Sequence, residues 1–256
     1  MSSPILALVV NGFREARRNR VTVVLVAFAA VLVLSSSAVA DAAIVTMDRV
    51  LVDVALGSAS VLLVALAVFL SCAALSQEIQ RRTIFIVMSK PISRSAFLLA
   101  RFGSILLTVC VLELVMLALF FVELFVFRTP FQLAQVAAFG MLFVEIIVIT
   151  ALGVLMSTFS GPIVSAVVVG GTYFAGHQSR DIYERASRAA SPLVRVIGRA
   201  AYYLVPNLER LDFKPHAAYG LPVNGREFMS SLVYGLAYAA LVLCLAMAVF
   251  RRRDFK

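Results

Sequence analysis

The sequence predicts an all-α, polytopic membrane protein with six transmembrane helices, an N-terminal interfacial amphipathic helix and an external helical segment between the fifth and sixth spans. Hydrophobic residues make up 62% of the 256 positions and charged residues only 14%, whereas soluble domains average about 45–50% and about 25%. Several apolar runs are long enough to cross a bilayer. The net charge of +9 reflects basic residues clustered at the ends of these runs. That pattern is typical of membrane topology and does not indicate nucleic-acid binding.

The first twenty residues predict a helix that lies on the cytoplasmic membrane surface. Apolar residues recur at spacings of three and four between Ile5 and Ala16, and arginines cluster between Arg14 and Arg20. Such a helix turns its apolar face toward the acyl chains and its arginines toward the lipid headgroups. The alternative is a plain basic stretch that precedes the first span.

Six apolar runs follow as predicted spans. They cover roughly residues 21–40, 54–76, 96–127, 131–157, 163–176 and 229–250. The third run is longer than a bilayer requires, so it should tilt or project. The fifth is short and carries Gly170, Gly171 and Gly176, and we expect it to pack closely inside the protein, either spanning or re-entrant.

Between the first two runs, Asp41, Asp48, Arg49 and Asp53 are net negative and predict an external loop. After the third run, residues 128–130 predict a tight external turn. Because six spans put both termini on one side, the arginines near each terminus place both in the cytoplasm.

Residues 177–228 predict the external amphipathic segment. Apolar residues recur at three and four from Ile182 to Leu204 with arginines between them, and Ser191 and Pro192 restart the helix. If the fifth run does not span, this segment becomes cytoplasmic and the C-terminus external. The arginines at 251–253 argue against that arrangement.

Residues 77–95 form a basic loop between the second and third spans. Its charged residues, besides Glu78, are Arg81, Arg82, Lys90 and Arg94. The positive-inside bias places it in the cytoplasm. Its apolar block, residues 84–88, requires cover from a membrane surface or a protein partner. Pro91 ends any helix that runs through Lys90, and Ser93 can cap the next one.

The residues of this loop resemble those of a known protein family. They comprise Glu78, Arg82-Thr83-Ile84, Ser89-Lys90-Pro91-Ile92-Ser93-Arg94, Phe97 and Arg101. Together they resemble the first cytoplasmic loop of type-2 ABC transporter permeases, which holds the coupling helix that sits on the ATPase subunit. Residues 11–21 also resemble the N-terminal interfacial helix of that family, and residues 206–208 are a weaker match.

The resemblance implies a single permease domain over residues 1–256, in an ABC exporter of the bacterial cytoplasmic (inner) membrane that works by alternating access. Two copies of an ABC ATPase subunit and a second permease copy or paralogue are the implied partners, besides membrane lipids. ATP and Mg are bound by the ATPase, and this chain binds no cofactor. The implied ATPase-coupling residues are Glu78, Arg81, Arg82, Thr83, Ile84, Phe85, Lys90, Pro91 and Arg94.

Motifs for catalysis are missing from the sequence. It contains no GxxxxGK[ST] nucleotide loop, GxSxG elbow or HExxH motif, and its three cysteines and two histidines lack metal-site spacing. We therefore expect a transport subunit that is not an enzyme and holds no metal.

Three carboxylates lie inside predicted spans, namely Glu113, Glu123 and Glu145. Ionisable groups are costly there and indicate function. Glu113 and Glu145 are candidates for a polar substrate path or for binding a proton, and the alternative is a hydrogen bond to a neighbouring helix. Two other classes of protein remain open: an ion-coupled secondary transporter that uses these glutamates, and a membrane scaffold that transports nothing.

Overall fold

The computed structural model describes residues 26–32, 47–80, 93–188 and 191–252, together with Val23. Its regular elements are all helical within these residues. The predicted interfacial helix at residues 1–20 lies outside this part of the chain. Of the first predicted span, the structure describes only Val23 and residues 26–32, among which Phe28 is completely buried.

The remaining elements are eight α-helices and one 3₁₀ turn in the described ranges. In chain order they are α1 Met47–Gln80, α2 Arg94–Phe127, α3 Leu133–Ser157, α4 Pro162–His177, α5 Ser179–Ser187, α6 Pro192–Leu204, the 3₁₀ turn Leu208–Leu211, α7 Lys214–Tyr219 and α8 Gly225–Arg252. Four of these helices, α1, α2, α3 and α8, are long and apolar enough to cross a membrane. The count of six spans stays a prediction.

The beginning of α1 corrects one prediction. Asp48, Arg49 and Asp53 were expected in an external loop, but they lie in the first turns of α1. Asp48 suits a helix start because its negative charge faces the positive end of the helix dipole. Its Oδ1 also accepts a hydrogen bond from Thr129 Oγ1 at 2.9 Å, which ties this end of α1 to the chain between α2 and α3.

Helix α2 begins and ends as the sequence predicts. At its start, Ser93 Oγ accepts a hydrogen bond from the Ala96 amide at 3.2 Å, so Ser93 is the N-cap. At its end, Arg128 adopts a left-handed conformation with φ of 56°, and the Thr129 amide donates to the Leu124 carbonyl at 3.0 Å. This geometry begins the chain reversal between Phe127 and Leu133, after which the chain returns to the bundle as α3.

Helix α3 lies at the centre of the bundle and packs most extensively against α1 and α8. Two glycines allow these close contacts. A Cβ atom on Gly153 would overlap the Ser71 side chain of α1, and one on Gly235 of α8 would overlap Val144 of α3. Small residues at such crossings let membrane helices approach closely.

Helix α4 is more exposed than we predicted. Ser165, Val169 and Gly176 are its buried residues, whereas Phe174 is 72% exposed. A Cβ atom on Gly170 or Gly171 would meet nothing within 4 Å. The expectation that the whole run packs inside the protein is therefore wrong for the single chain, because only one face of α4 contacts the bundle.

Residues 179–204 form a helical hairpin, and the predicted restart at Pro192 is confirmed by the start of α6. Gly198 of α6 packs directly on Ala186 of α5. The chain then folds back to the bundle through residues 205–219, which we call the returning segment. It includes the 3₁₀ turn and α7, and it packs against α1, α3, α4 and α8.

Candidate functional site

The predicted ATPase-coupling residues fall mostly outside the described part of the chain. Glu78 lies in the last turns of α1, and Arg94 is the first residue of α2. The remaining members, Arg81, Arg82, Thr83, Ile84, Phe85, Lys90 and Pro91, lie outside the described residues. Their role stays a prediction.

Arg94, at the start of α2, contacts the end of α8. Its Nη1 donates a hydrogen bond to the Arg251 carbonyl at 3.4 Å. One turn further, the rings of Phe97 and Phe250 stack with their centroids 6.5 Å apart. The start of α2 and the end of α8 therefore lie at the same end of the bundle.

The three carboxylates inside the spans have different surroundings. Glu113 and Glu123, both on α2, are 6% and 8% exposed, and their carboxyl oxygens have no hydrogen-bond partner among the described residues. Glu145 lies midway along α3 and is only 1% exposed. Its Oε1 lies 3.4 Å from Nε2 of His177, the last residue of α4. That distance is within ion-pair range, although the contact does not have hydrogen-bond geometry.

A second ion pair lies close to Glu145. Lys214 of the returning segment is 3.6 Å from Asp212 between Nζ and Oδ1. The same Nζ donates a hydrogen bond to Ser60 Oγ of α1 at 3.2 Å. Ser60 Oγ in turn lies 3.5 Å from the hydroxyl of Tyr173 on α4.

These side chains join four parts of the fold. We call them the polar cluster, which consists of Ser60, Glu145, Tyr173, His177, Asp212 and Lys214. It carries two acidic and two basic side chains and can therefore be electrically neutral. Buried charges are tolerated when they are paired in this way. The polar cluster is the densest set of polar contacts that the structure places beside a carboxylate of the spans.

Sequence reasoning found Glu145 but missed its partners. It gave no partner for this carboxyl group, and Lys214 comes from outside the candidate spans. The returning segment carries other charged and polar residues besides Asp212 and Lys214, so no signal in the sequence marked these two as partners. Since the returning segment was assigned to an external segment, nothing placed it next to α3.

No group of three or more metal-ligating side chains is present in the ranges that the structure describes. The candidate substrate-path residues Glu113 and Glu145 both point into the subunit, as their low exposure shows. Whether either side chain meets a substrate stays a prediction.

A protein-family model described as ABC-2 family transporter protein matches residues 6–175 of the chain. This range covers well over half of the 256 residues. The chain belongs to the ABC-2 transporter family. It is thus a multi-pass membrane permease of an ABC transporter, a kind of subunit that associates with an ABC ATPase and is not itself catalytic. No curated protein matches the chain.

The matched range of this ABC-2 permease includes the basic loop at residues 77–95 and the helices α1, α2 and α3. It ends two residues before His177, so the returning segment and half of the polar cluster lie beyond it. The polar cluster therefore joins the region that the family model matches to the region that it does not.

Proposed function

We propose that this permease is the membrane-spanning subunit of an ABC exporter in a bacterial cytoplasmic membrane. It moves its substrate by alternating access, and a separate ATPase subunit supplies the energy. The observation that carries the proposal is the family match, because it includes both the basic loop and the helices that flank this loop. Two ATPase copies, which bind ATP and Mg, are the proposed driving subunits.

The geometry around Arg94 supports a coupling role for residues 77–95. The loop connects α1 to α2 directly, and Arg94 and Phe97 connect the start of α2 to the end of α8. A displacement of the loop by an ATPase can therefore reach three membrane-spanning helices at once. Packed helices move as rigid elements, so they can transmit this displacement across the bilayer.

The proposed orientation follows from charge. Arg94, Arg251 and Arg252 lie at one end of the bundle, and positive charge favours the cytoplasmic side. Asp48 and Thr129 lie at the opposite end, which we assign to the external side together with the hairpin of α5 and α6. This places both termini in the cytoplasm, as six spans require.

We further propose a second permease copy or a paralogue as the neighbour of α4. Ile163, Val167 and Phe174 on this helix are 78%, 69% and 72% exposed. Gly170 and Gly171 leave room for the backbone of another helix to approach. Lipid can cover the same apolar face when the chain is alone in the membrane. The proposal therefore predicts a protein–protein contact at α4 only in the assembled transporter.

The test is purification of the tagged chain from its native membrane in mild detergent, followed by identification of the bound proteins and an ATPase assay. We expect a P-loop ATPase to copurify with the wild-type chain. Changing Arg82 and residues 84–88 to alanine should remove it, because the apolar block and its arginine then no longer offer a binding surface.

The matched control changes Tyr203 and Leu204 to alanine. These residues are apolar and exposed, at 78% and 82%, and they lie at the end of α6 in the hairpin. This control should retain the ATPase. If the wild-type chain is folded but purifies without a partner and without ATPase activity, this result contradicts the proposed function.

A further inference from the structure

The contact between Glu145 and His177 has an unusual balance of donors and acceptors. His177 Nδ1 lies 3.2 Å from the Tyr173 carbonyl oxygen. A carbonyl oxygen can only accept, so Nδ1 carries the hydrogen. In the neutral imidazole Nε2 is then an acceptor, and it lies 3.4 Å from Glu145 Oε1. Neither of these two atoms has a hydrogen-bond partner among the described residues.

An ionised carboxylate also only accepts hydrogen bonds. Two acceptors that face each other in a buried site repel unless one proton lies between them. The proton can reside on His177, which gives an imidazolium and a carboxylate, or on Glu145, which gives a neutral acid and a neutral imidazole. Both arrangements hold one proton and have no net charge, which suits a side chain that is 1% exposed.

The other charged and titratable groups around the pair are already engaged. Lys214 contacts Asp212 and Ser60, so these two charges offset each other. The Tyr173 hydroxyl faces Ser60, and its ring lies 4.6 Å from the His177 ring between centroids.

Among the described residues, the helices next to α3 place no hydrogen-bond donor on Glu145 Oε1 or His177 Nε2 either. Tyr234 of α8 accepts the Asn207 amide proton at 2.8 Å. Glu113 of α2 makes no hydrogen bond with any described residue. Glu209 of the 3₁₀ turn is exposed. None of these groups replaces the proton that Glu145 and His177 require.

Glu145 and His177 lie next to the contact between α4 and the returning segment. Gly176, next to His177, is so close to this segment that a Cβ atom there would lie 2.7 Å from the Pro206 carbonyl oxygen and 2.8 Å from Leu208. A net charge on the pair would therefore appear at the packing contact between α4 and the returning segment. Water must then reach the charge, or the contact must loosen.

We propose that Glu145 and His177 form a binding site for a single proton, and that this proton is required for the returning segment to pack against α3 and α4. Loss of the proton at high pH leaves one buried negative charge. Gain of a second proton at low pH leaves one positive charge. Packing is therefore strongest at intermediate pH and weakens on both sides. The site belongs to the chain itself and does not depend on the proposed exporter function.

The test measures how accessible the returning segment is as a function of pH. Cys72, Cys110 and Cys244 are first changed to alanine. Ala217→Cys then places a thiol at a position of α7 that is 2% exposed, and Leu221→Cys in a separate variant provides a reference at 46% exposure. The purified protein is labelled with a maleimide from about pH 5 to about pH 9, a range that brackets the ordinary titration of histidine.

The ratio of the two labelling rates cancels the general effect of pH on thiol reactivity. We expect this ratio to rise toward both ends of the range, by up to about tenfold per pH unit, because one proton is released or gained. Glu145→Gln should abolish the rise at high pH, since the amide can donate to Nε2 without titrating, and should keep the rise at low pH, where His177 still gains a proton. The matched control Glu113→Gln should keep the wild-type profile.

A constant ratio in the wild-type background contradicts the proposal. So does a Glu145→Gln variant that follows the wild-type profile. A Glu145→Gln variant with fast labelling at every pH also contradicts it, because that result makes Glu145 an ion-pair partner of Lys214. His177→Gln removes the group that gains the second proton and should abolish the rise at low pH.

Discussion

At the scale of single residues, the protein contains buried carboxylates with opposite roles. Glu145 has His177 at 3.4 Å and the Asp212 and Lys214 pair near it, whereas Glu113 has no hydrogen-bond partner among the described residues. An unpaired buried polar group is a net cost to folding, while a paired one becomes costly when its partner is removed. The two glutamates should therefore respond differently to the same substitution.

Glu113→Leu should raise the free energy of unfolding by about 1–3 kcal/mol, because it removes an unsatisfied buried group of similar volume. Glu145→Leu should lower it by about 1–3 kcal/mol, because His177 loses its facing carboxyl group. Thermal unfolding of both variants in the same detergent measures the difference. Equal destabilisation by the two substitutions would show that Glu113 has a partner of its own.

The sequence alone could identify these residues but not tell them apart. A carboxylate inside an apolar run is visible without a structure, and it marks a site worth testing. Which carboxylate has a facing partner depends on where His177 lies in space. Since His177 is 32 positions beyond Glu145 and lies on another helix, no periodicity connects the two.

At the scale of elements, the helix crossings depend on a few glycines. Gly140 and Gly153 both lie on α3, but only Gly153 is in close contact with another helix. Gly153→Ala should destabilise the protein because its methyl group meets Ser71 of α1. Gly140→Ala, where the methyl group meets nothing within 4 Å, should be neutral or stabilising by up to about 1 kcal/mol from helix propensity.

Thermal midpoints of the two alanine variants, measured side by side, test this difference. A lower midpoint for Gly153→Ala together with an unchanged or higher one for Gly140→Ala is expected. If both midpoints shift equally, the crossing of α1 and α3 is not limited by the space at Gly153.

Helix positions were predicted well from hydropathy, and helix ends from local chemistry. The Ser93 cap, the turn after Phe127 and the restart at Pro192 all follow from residues at the ends themselves. The predicted start of α1 was wrong because charged residues often indicate a loop, whereas Asp48 stabilises a helix start. The exposure of α4 in the single chain was not predicted, because small residues indicate close packing without identifying the partner.

At the scale of the whole molecule, the family match and the helix ends point to one arrangement. The loop at residues 77–95 lies within the matched range, between α1 and α2, and the end of α8 joins them through Arg94. The path of the returning segment could not be predicted, because its contacts with α3 and α4 are formed by residues distant in sequence. This segment packs against α1, α3, α4 and α8 and adds to the direct contacts that α3 makes with α1 and α8.

The central claim is that residues 77–95 are the surface on which an ATPase subunit acts. Photo-crosslinking in native membranes tests it most directly, with Phe85 replaced by benzoylphenylalanine in one variant and Tyr203 in the control. The account predicts a covalent adduct between a P-loop ATPase and the chain modified at position 85, and none from position 203. A folded chain that gives no such adduct from position 85, or gives it from position 203, would contradict the account.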